Sequence, residues 1–237
     1  MSSQRQDTNH AGPDGAAYTV VVFDIDGTLL TTGGAGAKAW QLAFEKLYGI
    51  SADISDYTED GWPDYEVCRR TFIGVLHREP SEIEINTLVT NYLTFIDDTL
   101  RESTTYRVMP GVPELLERLG DAGFLLGITT GNVAGAAHLK LERGHLNKYF
   151  AFGGYGSDSA DRSMLTRKAI ERAGRLLARE VSPREVLVVG DTPRDIAAAQ
   201  AVGADSVGVA TGHFSEAELA ACEATYVLAT VEHGFPL

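Results

Sequence analysis

The stretch VVFDIDGTLL, residues 21–30, places two carboxylates at the end of an apolar run and follows them with a Gly-Thr pair. The run from Tyr18 to Phe23 is typical of a central strand that is buried on both faces of a parallel sheet. In such sheets ligands bind where the strands end. We therefore expect Asp24 and Asp26 to lie in a crevice at the edge of the sheet, although an Asp-Gly pair alone is also common in turns.

The chain is long enough for one large domain or for a core domain with a smaller insertion. Its 237 residues are 44% hydrophobic, which suffices for a substantial core. Residues 1–16 are polar and lack an apolar run, and we expect them to form a disordered tail rather than a signal peptide. No stretch has the length of a membrane span.

The charge and the cysteine content argue against several classes of partner and site. A net charge of -13 disfavours nucleic acid or an anionic membrane as the main partner. Cys68 and Cys222 are too few and too far apart in sequence for a disulfide framework or a zinc site. These features predict a cytoplasmic protein without nucleic-acid or membrane partners.

The spacing of the apolar residues divides the chain into two predicted regions. Helical spacing dominates residues 33–107, which we interpret as an all-helical cap inserted after the first strand. Strands alternate with helices elsewhere, which predicts a doubly wound, Rossmann-like α/β core with a parallel sheet from residues 17–32 and 108–237. The later core strands are expected at residues 124–130, 149–152, 185–191, 206–211 and 226–229.

Two of these later strands also end in polar side chains. One finishes with Thr129 and Thr130 and is followed by Asn132, and another finishes with Asp191, with Asp195 one helical turn later. Because parallel strands bring their carboxyl ends together, these groups should converge with the two acids of the first strand.

The converging carboxylates predict a divalent cation. Carboxylates in a cluster repel one another unless a cation lies among them. A site of oxygen ligands without His or Cys suits Mg²⁺, which commonly shares a phosphate oxygen with the protein. The residues therefore predict phosphoryl chemistry with Mg²⁺ as the cofactor.

The motifs resemble those of the haloacid dehalogenase superfamily of hydrolases, and most of all its phosphoglycolate phosphatase-like members. DIDGT at residues 24–28 is similar to the first motif of that superfamily, Thr129 to the second, and GDTPRD at residues 190–195 to the fourth. The position of the helical cap also fits, so the resemblance covers nearly the whole chain beyond its tail. It implies a phosphatase with an α/β core and a cap.

The resemblance implies a role for each matching residue. Asp24 would be the nucleophile that forms an aspartyl-phosphate, and Asp26 the acid that protonates the leaving group and later deprotonates water. Asp24, Asp191 and the backbone carbonyl of Asp26 would hold Mg²⁺. Thr129 would be a further catalytic residue that binds phosphoryl oxygens. The supporting residues would be Thr28, which orients the acid, Thr130, whose amide also binds phosphoryl oxygens, Asn132 and Asp195.

The third motif departs from the pattern of the superfamily. Members normally supply a lysine before the helix that follows the third core strand, and the corresponding region here has no Lys-Pro pair. Arg162 lies at about the right place and can bind phosphate through its fork. Lys168 is the alternative, although it lies within the predicted helix. We favour Arg162 as the catalytic cation.

Cap residues are expected to select the substrate. The segment EDGWPDYE at residues 59–66 interrupts the helical pattern and places Trp62 and Asp64 on a loop that could face the site. The alternative is an ordinary turn between two helices.

The most specific function that the sequence supports is Mg²⁺-dependent hydrolysis of a small phosphorylated metabolite, with phosphoglycolate as the first candidate. A phosphomutase of the same superfamily is the nearest alternative, and a non-catalytic phosphate-binding protein would follow if Arg162 could not replace the lysine. A dehalogenase is disfavoured because it does not need the acid Asp26. We expect a monomer or a homodimer.

Overall fold

The computed structural model describes Gly15 and residues 17–59 and 61–237, so the predicted tail lies almost entirely outside the described residues. Eight strands occur in this part of the chain. In chain order they are β1 (Val20–Phe23), β2 (Leu30–Thr31), β3 (Arg107–Val108), β4 (Leu125–Thr130), β5 (Phe152–Tyr155), β6 (Val186–Gly190), β7 (Asp205–Val209) and β8 (Tyr226–Leu228). The α-helices are α1 (Ala35–Tyr48), α2 (Asp64–Leu76), α3 (Glu82–Glu102), α4 (Val112–Asp121), α5 (Ala134–Arg143), α6 (Arg162–Leu177), α7 (Pro193–Val202) and α8 (Glu216–Ala221).

The main sheet has its strands in the order β5-β4-β1-β6-β7-β8, and every pair is parallel. β1 is therefore an inner strand, with Val22 opposite Gly127 of β4 and Val188 of β6. Both of its faces are covered, because Val21 and Phe23 pack with side chains of α4 and α5 while Val20 and Val22 pack with those of α6 and α7. This arrangement confirms the predicted doubly wound α/β fold.

The strand predicted at residues 149–152 was placed too early. Asn147–Tyr149 forms a short 3-10 helix, and the strand begins at Phe152. Tyr149 and Phe150 are aromatic, as strand residues often are, but they pack at the edge of the core before the chain enters the sheet. The other predicted core strands overlap the observed ones.

The helices between β2 and β3 bury an apolar cluster of their own. Its centre is Trp40 of α1, whose ring stacks on Tyr92 of α3 at 4.2 Å. Val133 and Ala136, at the start of α5, belong to the same cluster, so these helices pack against the helix that follows β4. β2 and β3 pair antiparallel where the chain enters and leaves this region, and the division into cap and core at residues 32/33 and 107/108 stays a prediction.

None of the helices in the described part of the chain combines the length and the apolar composition that a membrane span requires.

Candidate active site

The carboxyl ends of β1, β4 and β6 meet at a cavity that residues of α1, α2 and α3 also line. Asp24 follows β1 and Asp191 follows β6, and their carboxylates lie with that of Asp195 within 4.8 Å of one another. All three residues are buried. The Thr28 hydroxyl donates a hydrogen bond of 2.9 Å to Oδ1 of Asp191. In this structure Thr28 therefore contacts Asp191, the residue after β6. The register of three parallel strands is what brings these groups together.

Asp24 lies next to the buried cation Arg162. Its Oδ1 is 2.9 Å from Nη2 of Arg162, and both side chains are less than a tenth exposed. Burial nevertheless raises the pKa of Asp24 to about 6, because desolvation outweighs the attraction of Arg162. Repulsion from Asp195 and Asp26 acts in the same direction as burial.

Asp191 occupies a pocket that two glycines leave open. A Cβ atom on Gly27 would lie 2.2 Å from Asp191 Oδ2, and one on Gly212 would lie 1.8 Å from the same oxygen. Gly27 also has a φ of 81°, which side chains rarely adopt. Burial, with repulsion from Asp24 and Asp195, raises the pKa of Asp191 to about 8. The negative charges of Asp24 and Asp191 are therefore incompletely neutralised unless a further cation binds.

Both carboxylate oxygens of Asp195 accept hydrogen bonds from other residues of the protein. Oδ2 accepts bonds from the backbone N–H (3.0 Å) and the hydroxyl (2.7 Å) of Thr192, which forms a capping box at the start of α7. Oδ1 accepts bonds from Nε and Nη2 of Arg162. Asp195 therefore orients the cation that faces Asp24, in keeping with its predicted supporting role, which stays a prediction.

Arg162 is the cation that the structure brings to the third-motif position. It is the first residue of α6, and besides its bonds to the two acids its Nη1 donates to the carbonyl of Gly61 at 3.1 Å. Lys168 lies further along α6, is 40% exposed and pairs with Glu171 at 2.9 Å. The structure thus brings Arg162, and not Lys168, to the carboxylate cluster.

The two threonines at the end of β4 point in different directions. The Thr129 hydroxyl lies 3.1 Å from that of Thr166 on α6, and Thr129 is not among the described residues that line the cavity. Thr130 does line it, and its Oγ1 accepts a bond of 2.8 Å from Nδ2 of Asn132. Successive strand residues point to opposite faces of a sheet, which accounts for the different surroundings of the two hydroxyls. The structure thus brings Thr130, and not Thr129, to the cavity, while the phosphoryl-binding role predicted for Thr129 stays a prediction.

Lys140 is a site residue that sequence reasoning missed. Its Nζ donates to Oδ2 of Asp26 at 2.7 Å and to Oδ1 of Asn132 at 2.5 Å, although the residue is only 5% exposed. A signal was present in the sequence, because Lys140 interrupts the apolar stripe of α5 formed by Val133, Ala136, Ala137 and Leu141. A lysine in such a stripe must be buried, and a buried ammonium needs a partner.

The segment predicted to face the site contacts the loop after β4. Asp64 begins α2, donates its backbone N–H to the Gly131 carbonyl at 2.8 Å and accepts the N–H of Val133 at 2.7 Å. Burial raises its pKa to about 6. The ring of Trp62 contacts the guanidinium groups of Arg70 and Arg194, at 3.8 Å and 4.5 Å from its centroid. Trp62 and Asp64 both line the cavity, and Asp64 also connects α2 to the loop after β4.

The cavity between helices α1 to α3 and the strand ends has a volume of about 610 Å³. Its floor carries Asp24, Asp26, Asp191 and Arg162, and its walls include Trp40, Tyr92, Glu59 and Arg107. A space of this size accepts a small metabolite.

The sequence profile of the haloacid dehalogenase-like hydrolase family matches residues 18–203. The chain belongs to this family. It is therefore a hydrolase, as its motifs predict.

Two relatives of this hydrolase are named phosphoglycolate phosphatases. A phosphoglycolate phosphatase of Agrobacterium fabrum is 28% identical over 200 residues, which cover 82% of this chain and 81% of that protein. A phosphoglycolate phosphatase of Escherichia coli K12 is 27% identical over 210 residues and 81% of each chain.

Solved structures support the same fold for the hydrolase. A predicted phosphoglycolate phosphatase from Haemophilus somnus superposes with a TM-score of 0.71 at 19% identity, over 91% of this chain and 95% of its own. A presumed β-phosphoglucomutase from Bacteroides vulgatus has a TM-score of 0.68 at 18% identity, over 91% and 85% of the two chains. At these identities the likeness shows the fold alone.

Hydrolases of this family generally use Mg²⁺, and the buried acids of this chain could bind a metal ion.

We expect Mg²⁺ to raise the melting temperature more at about pH 8 than at about pH 5.5. Since the pKa values of Asp24 and Asp191 are raised from 3.8 to about 6 and about 8, the folded metal-free protein holds protons that the unfolded chain loses above about pH 4. Its stability therefore falls as the pH rises through this window, and a bound cation offsets that loss. Thermal unfolding with MgCl₂, against NaCl of equal ionic strength, measures the effect, and equal shifts at both pH values would contradict it.

Proposed function

We propose that this chain is a phosphatase that hydrolyses the phosphoric monoester of a small metabolite through an aspartyl-phosphate on Asp24. The observation that carries the proposal is the placement of the Asp24 carboxylate, buried at the end of an inner strand and 2.9 Å from Arg162 on the floor of a cavity. Arg162 also has the charge to attract a phosphoryl group to this carboxylate.

The reaction takes place in two displacements at phosphorus. An Asp24 oxygen attacks, the bond from phosphorus to the ester oxygen breaks, and Asp26 gives its proton to that oxygen, so an alcohol leaves. Water then attacks the phosphorus of the aspartyl-phosphate while Asp26 takes its proton. The bond from phosphorus to Asp24 breaks, which releases inorganic phosphate and restores both acids.

The residues present fit a Mg²⁺ ion. Asp24 and Asp191 are buried acids with raised pKa values, and the cradle of Gly27 and Gly212 leaves the Asp191 carboxylate room that a Cβ atom would fill. The side chains of Asp24 and Asp191, with the backbone carbonyl of Asp26, would hold the ion, because Asp195 is already bonded to Arg162 and Thr192. When bound, Mg²⁺ neutralises charge on the phosphoryl group and on the acids.

Phosphoglycolate is the first candidate for the substrate, because the relatives reported above are named phosphoglycolate phosphatases. The cavity has room for a metabolite of this size and carries Arg107 on its wall, a cation that could meet a carboxylate. Arg107 is exposed, and among the described residues no ion pair engages it.

A screen of phosphorylated metabolites with Mg²⁺, scored by kcat/KM and by release of inorganic phosphate, tests the proposal. Hydrolysis of one ester well above the others, with phosphoglycolate first, is the expected result. A flat profile would overturn the substrate, and phosphate that moves to a second hydroxyl without release would identify a phosphomutase. If no ester of the screen reacted, the proposed phosphatase reaction would be overturned, and a non-catalytic phosphate-binding protein would be favoured instead.

A further inference from the structure

We propose that Lys140 is a positioning residue for the acid Asp26, which it holds in the orientation needed to protonate the leaving group. The inference rests on the proposed phosphatase reaction. It concerns a residue outside the motifs that identified the site.

Asp26, Asn132 and Lys140 form a closed ring of hydrogen bonds. Lys140 Nζ donates to Oδ2 of Asp26 at 2.7 Å and to Oδ1 of Asn132 at 2.5 Å, and Asn132 Nδ2 donates to the same Oδ2 at 2.7 Å. The Asp26 side chain is 42% exposed. An exposed carboxylate on a loop has little packing to hold it, so these two donors are what fix its orientation.

The ring also distinguishes the two carboxylate oxygens of Asp26. Oδ2 accepts bonds from an ammonium and from an amide, so both of the donors already point their hydrogens at it. These two bonds engage Oδ2, so we expect the acid to act on the leaving group through Oδ1. Lys140 and Asn132 thus direct the acidic oxygen as well as the orientation of the carboxyl group.

The location of Lys140 supports a functional role over a structural one. The ammonium lies between the core and the cap, since a Cβ atom on Gly36 of α1 would be 3.9 Å from Nζ. The position belongs to the apolar stripe of α5, where methionine would fit with no charge to desolvate. A residue needed only for packing would be better served by an apolar side chain.

A leaving-group series separates positioning of the acid from binding of the substrate. p-Nitrophenolate leaves without a proton, whereas the alkoxides of glycerol 3-phosphate and phosphoglycolate need one. In Lys140→Met we expect kcat/KM for both alkyl esters to fall by about 10- to 100-fold, less than the 10²- to 10⁴-fold that a whole general acid contributes. For p-nitrophenyl phosphate, kcat/KM is expected to stay within about twofold of the wild type, because it reports only the steps through release of the leaving group.

The second displacement gives a spectroscopic signature. Because Asp26 must also activate water, Lys140→Met is expected to hydrolyse the aspartyl-phosphate slowly. Stopped-flow mixing with p-nitrophenyl phosphate should then release a burst of one p-nitrophenolate per active site. Asp26→Asn should show the same burst, and the melting temperature of Lys140→Met should not fall below that of the wild type.

Lys168→Met is the matched control, because it removes a lysine that is paired with Glu171 on the surface, and it should behave as the wild type in every assay. Equal kcat/KM values of Lys140→Met and the wild type for both alkyl esters would overturn the inference. So would a loss confined to phosphoglycolate, which would mean that Lys140 binds the substrate carboxylate, or an equal loss for all three esters. If the wild type hydrolysed none of them, the proposed function itself would have failed.

Discussion

Asp24→Asn is expected to reduce kcat by on the order of 10⁵-fold or more, because an amide cannot attack phosphorus and carry the phosphoryl group. Release of phosphate from p-nitrophenyl phosphate and from the best metabolite of the screen measures the loss. Acid quenching with labelled substrate should trap a phosphorylated protein for the wild type and none for the variant. Activity within tenfold of the wild type would contradict the assignment of the nucleophile.

The loss must be separated from a failure to fold, and Asp24 offers a clear way to do so. Burial raises the pKa of this carboxyl to about 6, so at about pH 8 its ionised form opposes folding of the metal-free protein. The neutral asparagine removes that cost. The metal-free variant is therefore expected to melt no lower than the wild type at about pH 8, and Asp98→Asn, on the exposed face of α3, serves as the control.

The prediction of the fold and of its central site depended on simple features of the sequence. Apolar runs bounded by turns predict buried parallel strands, and such strands end at one edge of a sheet. The structure confirms this expectation for β1, because Val22 pairs in parallel with Gly127 of β4 on one side and with Val188 of β6 on the other. Asp24 and Asp191 could therefore be placed together without knowledge of any contact between them.

Side-chain direction was harder to predict than strand position. Thr129 and Thr130 are adjacent and chemically identical, and the resemblance matched Thr129 to the second motif without information on where either side chain points. The structure turns Thr129 toward Thr166 and leaves Thr130 at the cavity. A shift of one residue along a strand exchanges the two faces of the sheet, so a sequence match alone does not determine side-chain direction.

Long-range polar contacts lay beyond the sequence patterns altogether. Asp195 matches a motif, but its bond to Arg162 joins the starts of α6 and α7, and no local pattern encodes that contact. Lys140 reaches Asp26 across 114 positions of the chain. The stripe of α5 could have predicted that this lysine is buried, but not the identity of its partner.

Arg162→Met is expected to have the second largest effect. The side chain is 9% exposed and bonds to both Asp24 and Asp195, so its removal leaves two buried acids without their cation. Breaking a buried pair of this kind costs about 3–5 kcal/mol in the free energy of unfolding. Urea unfolding of the metal-free protein measures that cost, and kcat/KM is expected to fall by about 10³-fold because the phosphoryl group loses its cation.

The pH dependence of Arg162→Met tests the same contact independently. Arg162 lowers the pKa of Asp24 against the larger effect of burial, so the pKa of the nucleophile should rise further when this cation is removed. Since the ionised carboxylate is the form that attacks, the acidic limb of the kcat/KM profile should move to higher pH. A profile that kept its acidic limb in place would contradict a direct interaction between the two residues.

Comparison of Arg162→Lys with Lys168→Met then identifies the cation of the third motif. A lysine at position 162 keeps the charge beside Asp24 but not the fork that also bonds to Asp195 and to the Gly61 carbonyl. We therefore expect Arg162→Lys to recover kcat to within about tenfold of the wild type while it remains less stable, because a single ammonium makes fewer of these bonds. Lys168→Met should leave the free energy of unfolding within about 0.5 kcal/mol and kcat unchanged. Loss of activity in Lys168→Met together with retained activity in Arg162→Met would contradict this assignment. Lys168 would then be the catalytic cation of the third motif, and α6 would have to be rotated from the position that the structure gives it.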